Sequence, residues 1–204
     1  MADNDALPKS MVVGWRPSSV SGWGVYGQNL IRQLIEKGRN PVLYLAPHLL
    51  DVTPEVAAQL EPVLQRQVHL QDLLEKVGLL EFDYPVLHAL RNDFLPSLDE
   101  QVARGDKNIG VIFFESTEIS EEGLDRAREY DLIVTGSTWN AEILEGRGLS
   151  NVANVFQGID DTIFQPGKKI DRYPDRFVIY SGGKLEYRKA QDVVITAFKE
   201  FHAD

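Results

Sequence analysis

The segment SGGKLEYRKAQD, Ser181 to Asp192, sets a glycine pair, Gly182 and Gly183, and three cations, Lys184, Arg188 and Lys189, ahead of a helical pattern. Diphosphate oxygens are held by clustered positive charge and by backbone N–H donors, and this order of residues offers both. The GxxxxGK[ST] order of a Walker loop is absent, and such a cluster is also what a solvated cationic face looks like. A second candidate is Ser21-Gly22-Trp23-Gly24, between an apolar run and a helix. Glycines there let the backbone approach a ligand, and the free N–H groups of a helix start attract anions. The spacing is not that of GxGxxG, and a plain flexible turn is the alternative.

Four further residues invite a chemical reading. His88 ends the predicted strand YPVLH, at the height where a parallel sheet presents ligand-binding groups; a hydrogen-bonded structural histidine fits equally well. Glu115 and Glu118 in FFESTEIS also follow a predicted strand, with helix capping as the plainer role and general acid–base work as the other. Asp160 in QGIDDTIF has the type to bind a ligand hydroxyl or to close an Asp turn. No metal-ligand spacing, nucleophile elbow or Ser/His/Asp order accompanies them.

Composition narrows the classes. The 204 residues carry 21 Lys and Arg against 31 Asp and Glu, a formal net charge of −10, which disfavours duplex nucleic acid as a main partner. A local cationic cluster in so acidic a chain suits a small anionic ligand. There is no cysteine, so neither disulfides nor thiolate metal sites can form. The polar start MADNDALPKS is no secretory leader, and no apolar run reaches membrane-spanning length, so a cytoplasmic protein is expected.

Elements that would position these residues follow from periodicity. Strands are predicted at Met11–Trp15, Val42–Ala46, Pro85–His88, Ile109–Phe114, Asp131–Thr135 and Val152–Phe156. Helices are predicted from Val25 to Lys37, through most of Thr53–Gly78, from an N-cap at Ser120 to Glu129, and from Thr138 to Gly146 or Gly148. Short apolar strands alternating with helices predict an α/β fold, a doubly wound parallel-sheet Rossmann-like domain covering residues 1–160. Ligands bind such sheets beyond the carboxyl ends of the strands. Residues 161–175 read as a linker. A fresh strand at Phe177–Tyr180 and a helix at Gln191–Phe201 then read as the start of a second domain, 176–204, which a single βα unit leaves truncated.

Taken in order, these pieces resemble the retaining glycosyltransferases of family 4, with the GT-B architecture of two facing Rossmann-like domains. SGWGVYGQNLIRQLIEKG resembles that family's first loop and helix, and YDLIVTGSTWNAEILEGRGL its "strand, Ser, then helix" segment. NVFQGIDDTIFQP resembles its crossing between domains, and FVIYSGGKLEYRKAQDVVITAF the first βα unit of its C-terminal domain. The resemblance implies transfer of a sugar, with retention, from a nucleoside-diphosphate sugar to an acceptor hydroxyl, without metal or other cofactor. Gly22, Gly183, Lys184 and Lys189 would then hold the donor diphosphate, with Lys184 where the family usually has Arg.

The pattern also departs from the family. The His that many members carry after the strand matching Ile109–Phe114 is replaced by FFES, leaving His88 and Glu115 as catalytic candidates that match no motif. Ala190 stands where a Gly usually follows the Lys. The family's acidic Glu-x7-Glu segment does not occur within these residues, so an incomplete form is expected. The competing expectation is a non-catalytic GT-B-derived module that dimerises or docks through Val193, Val194 and Phe198 of its C-terminal βα unit. A nicotinamide-dependent oxidoreductase fits the fold but lacks GxGxxG and its ribose-binding acid.

Overall fold

The structure, a computed structural model, describes residues 9–97, 102–161, 163–168 and 172–203. The chain divides into two compact units, Met1–Asp160 and Asp161–Asp204. The first contains β1 (Ser10–Val13), α1 (Gly22–Glu36), β2 (Asn40–Val42), α2 (Pro54–Val77), β3 (Leu80–Glu81), β4 (Val86–Ala89), β5 (Ala103–Arg104), β6 (Asn108–Ile112), α3 (Glu121–Arg128), β7 (Leu132–Thr135), α4 (Thr138–Gly146) and β8 (Val152–Asn154). The second contains a 3-10 turn, Tyr187–Lys189, and α5 (Gln191–Ala203). Among the described residues no helix is long and apolar enough to cross a membrane.

Six strands form one sheet in the order β2-β1-β4-β6-β7-β8, and every pairing is parallel. The α/β class and the parallel sheet expected from the sequence are therefore present. Alternating side chains sort to opposite faces. Val13, Leu87, Ala89 and Val111 pack with Ile31 of α1 and with Leu60 and Val63 of α2. Ile112 and Ile133 pack instead with Leu124 and Ala127 of α3 and Leu144 of α4. Val12 and Val86 join Leu70 and Leu74, from the second half of α2, in a third cluster. Each such aliphatic side chain stabilises the fold by about 1.5–3 kcal/mol when fully buried, so helices covering both faces account for the apolar character of the strands.

Strand ends differ from expectation in instructive ways. β1 ends at Val13, although the Gly14 N–H still donates to the Leu87 carbonyl at 2.8 Å, and a Cβ on Gly14 would lie 2.4 Å from that oxygen. β2 ends at Val42, although Leu43, Tyr44 and Leu45 remain buried as the chain enters a loop. β8 ends at Asn154, leaving Val155 and Phe156 exposed. Hydrophobicity reports burial, whereas a ladder also needs a partner in register. The two-residue pair β3–β5, which carries too little pattern to be read from sequence, forms a second small sheet.

Helix starts are set by side-chain caps. Ser120 Oγ accepts the Gly123 N–H, with Glu121 and Glu122 in the first turn, as expected for α3. α1 begins three residues before the predicted Val25, since Ser21 Oγ accepts the Gly24 N–H at 3.1 Å. α4 is capped by Ser137 rather than Thr138, which becomes its first helical residue.

In the second unit α5 forms as predicted, but Phe177–Tyr180 does not form a strand. A strand needs a hydrogen-bonding neighbour, and here the segment has none among the described residues; Phe177 is 78% and Tyr180 90% exposed. Phe177 and Ile179 line an open cavity of about 660 Å³ together with Leu185, Val194 and Phe198.

Candidate functional site

The strand order places a switch point between β1 and β4. The chain leaves β1 toward β2 on one side, and the later strands add on the other, which opens a crevice at the carboxyl ends. Around that end of the first unit lies an aromatic cluster. Trp15 stacks on Tyr26 at 5.7 Å and meets Trp23 edge-on at 5.4 Å, and Trp23 lies 4.9 Å from Phe113. Trp15 Nε1 donates to the Trp23 carbonyl at 3.0 Å. Gly27 makes room for it: a Cβ there would sit 2.5 Å from that indole nitrogen.

The cluster anchors the first turns of α1, where the predicted ligand contact Gly22 lies. Gly22 is exposed, and a Cβ on it would meet nothing within 4 Å. Gly24 is different, because a Cβ there would come within 2.3 Å of the Ser18 Cβ and 2.7 Å of its backbone nitrogen. Packing therefore demands glycine at 24 and leaves 22 open to the solvent.

Beyond β6 the chain presents Phe114 and then four exposed polar residues, Glu115, Ser116, Thr117 and Glu118. Neither Glu caps α3, since Ser120 does. The Phe114 carbonyl accepts Asn140 Nδ2 at 2.9 Å, and the Phe114 ring lies 5.7 Å from that of Trp139. Trp139 is in the first turn of α4 and is 45% exposed. Sequence reasoning missed this residue, although a Trp one position inside a helix start, just after a strand, is a legible signal.

His88 lies elsewhere. It is the third residue of β4, not its end, and is 3% exposed. Its Nε2 lies 3.1 Å from Asn108 Oδ1, and Asn108 Nδ2 donates to the Gly105 carbonyl at 3.2 Å. That orientation makes Oδ1 the acceptor, so the His88 Nε2 carries the proton. The ring packs edge-on against Tyr130 at 5.8 Å. Burial pulls its pKa below the usual histidine value, and the Asn108 bond only partly opposes this. His88 thus reaches toward the amino end of β6, one residue before β4 ends in a strand that is buried throughout.

Asp160 reaches back to α1. Its carboxylate pairs with Arg32 at 3.1 Å, and the same guanidinium donates to Gln59 Oε1 and Asn29 Oδ1, each at 3.1 Å. The carboxylate proposed for a ligand hydroxyl is occupied by this pairing.

In the second unit the glycine-cation loop folds back on itself. Gly183 has φ +117°, a conformation suited to glycine, and the methylene stem of Lys189 passes 3.9–4.0 Å from where its Cβ would be. Gln191 Nε2 donates to the Lys184 carbonyl at 2.9 Å. The carboxylate of Glu186 lies 3.2 Å from Arg188 Nε and 3.8 Å from Lys184 Nζ. Gly183, Lys184 and Lys189 are thereby brought into one turn, while Gly22, Glu115 and His88 belong to the first unit, with His88 buried away from the carboxyl ends. Among the described residues no group of three or more His, Asp or Glu is arranged to hold a metal ion. In comparison with known proteins, the chain matches no family model, no curated protein and no solved structure.

Proposed function

We propose that the chain is a family-4-like glycosyltransferase of GT-B type, acting on a nucleoside-diphosphate sugar and an acceptor hydroxyl with retention. The observation that carries the reading is the closed turn of the second unit, in which Gly183, Lys184 and Lys189 come together. As the glycosidic bond to the diphosphate breaks, negative charge grows on the leaving oxygen, and clustered ammonium groups stabilise it. The first unit supplies the acceptor groups from its carboxyl end, and Gly22 offers an unobstructed backbone to the donor phosphates. The resemblance in the order QGIDDTIFQP, then SGGKLEYRKA, supports the same reading.

Calorimetric titration of the chain with uridine, guanosine and adenosine diphosphates tests it. At least one is expected to bind, with affinity lowered about tenfold in Lys184→Ala and in Lys189→Ala, the loss of one charge-assisted contact. Absence of binding to all three would remove the donor reading. A second reading is favoured by the exposure of Phe177 and Val193 in the second unit, and of Phe198 at its cavity: a non-catalytic module that dimerises or docks there. Light scattering over a concentration series separates the two, since a strict monomer that binds nucleotide excludes a dimerising module.

A further inference from the structure

We propose that residues 155–160 form a strap latched onto α1 by the Arg32–Asp160 pair, and that this latch sets where the second unit is hinged. The proposal stands on the geometry of the first unit and does not rest on the glycosyl-transfer reading.

Three fixed points trace the strap. At its start, just past β8, the Val155 N–H donates to the Thr135 carbonyl at 2.8 Å. In its middle, Gln157 lies against Gly136: a Cβ on that glycine would be 3.6 Å from Gln157 Cγ and 2.3 Å from Cε1 of Phe113. Glycine there lets the Phe113 ring lie against the end of β7, where it also meets Trp23 and Tyr26 of α1 at 4.9 and 5.6 Å. At its end, Asp160 reaches Arg32 of the same helix at 3.1 Å. The boundary between the two units falls immediately after Asp160.

Of these points the last is the strongest. Phe156 is 70% and Ile159 75% exposed, so the strap gains little from apolar burial. Among the described residues, no backbone hydrogen bond is made by residues 156–159. The ion pair is largely withdrawn from water, so it is screened less than a surface pair. Its guanidinium is also set in place beforehand, with Nε donating to Gln59 Oε1 of α2 and Nη1 to Asn29 Oδ1. Arg32 is therefore the fixed half of the latch, and Asp160 the half that can leave. Closed, the latch holds the chain to the first unit as far as the boundary. Open, the hold retreats toward Val155, and residues 156–160 add about 17 Å of reach. A few residues suffice to absorb such a hinge change, and Gly158, where a Cβ would meet nothing within 4 Å, is placed to do so.

The chain has no cysteine, so spin labels attach only where cysteines are introduced. Glu145→Cys on α4 and Ile163→Cys, both at exposed positions, give a pair for pulsed electron paramagnetic resonance. Nitrogen-15 relaxation reads the amides of Gln157, Gly158 and Ile159. The labelled parent is expected to show a narrow distance distribution and strap order parameters near ~0.85. Asp160→Ala should broaden the distribution and lower those order parameters below about 0.6. Arg32→Gln should do the same from the helix side. Asp160→Ala leaves the bonds of Arg32 to Gln59 and Asn29 in place, and circular dichroism checks that both variants fold. A strap as ordered in both variants as in the parent overturns the proposal, and so does one already mobile in the parent. Release by one variant alone, or loss of order that extends into β6 and β7, overturns it too.

Discussion

Arg32 and Asp160, separated by 128 positions, form an ion pair at 3.1 Å in which the side chains keep only 18% and 15% of their exposure. The pair fastens the segment after β8 to α1, on the same helix that begins at Gly22. Because both groups are largely out of water, removing one strands the other. Arg32→Ala and Asp160→Asn are each expected to destabilise the first unit by about 1–3 kcal/mol. A double-mutant cycle in urea should give a coupling well above that of an exposed pair, and additive effects would contradict this account.

Gly22 and Gly24 are two positions apart and should respond oppositely. Gly24→Ala forces a Cβ into Ser18 and is expected to cost about 1–3 kcal/mol by overpacking. Gly22→Ala meets open space at the first position of α1, so it should be neutral or slightly stabilising. If Gly22 approaches a phosphate, the same substitution will still weaken nucleoside-diphosphate binding, and thermal melts read beside calorimetry resolve the two effects.

His88 gives the fold a pH dependence of definite sign. Its folded-state pKa lies below the ordinary 6.5, chiefly through burial. The unfolded chain therefore takes up the proton first as pH falls. Its contribution to stability is complete above about pH 6.5 and is lost as pH drops from there through the lowered folded value. The urea midpoint should fall between about pH 7 and pH 5, and His88→Gln, which cannot titrate, should flatten that part of the profile.

Ala190 ends the 3-10 turn at φ +53°, in the left-handed region, on the position where the resembled family has Gly. A non-glycine residue there costs about 1–2 kcal/mol, and glycine returns part of that in backbone entropy. Ala190→Gly should therefore stabilise the second unit by about 0.5–1 kcal/mol. Gly183→Ala, at φ +117°, should destabilise the loop and, if the loop holds a nucleotide, weaken its binding as well. Hydrogen exchange of α5 amides in the two variants reads both changes.

Much of the scaffold was legible because its determinants are local. Apolar runs such as Val111-Ile112 mark buried strands, and Ser120 followed by Glu121 and Glu122 marks a helix start. What was not legible depends on partners distant in sequence. Phe177–Tyr180 has every strand propensity yet forms no ladder, since propensity supplies no neighbour. His88 looked like the last residue of a strand, whereas β4 runs on to Ala89 and the imidazole meets Asn108 from a neighbouring strand. The bracing of Trp139 depends on Phe114, a residue remote in sequence that meets its ring and accepts from its neighbour Asn140.

Glu186 gives the cationic loop a resident counter-ion. One carboxylate lies within ion-pair distance of both Arg188 and Lys184. On the donor reading, a phosphate oxyanion would exchange with a charge of its own sign rather than settle on bare cations. The expected consequence is selection by displacement: a singly charged anion would gain little over the carboxylate it replaces, whereas a diphosphate, with more charge and more acceptor oxygens, would outcompete it.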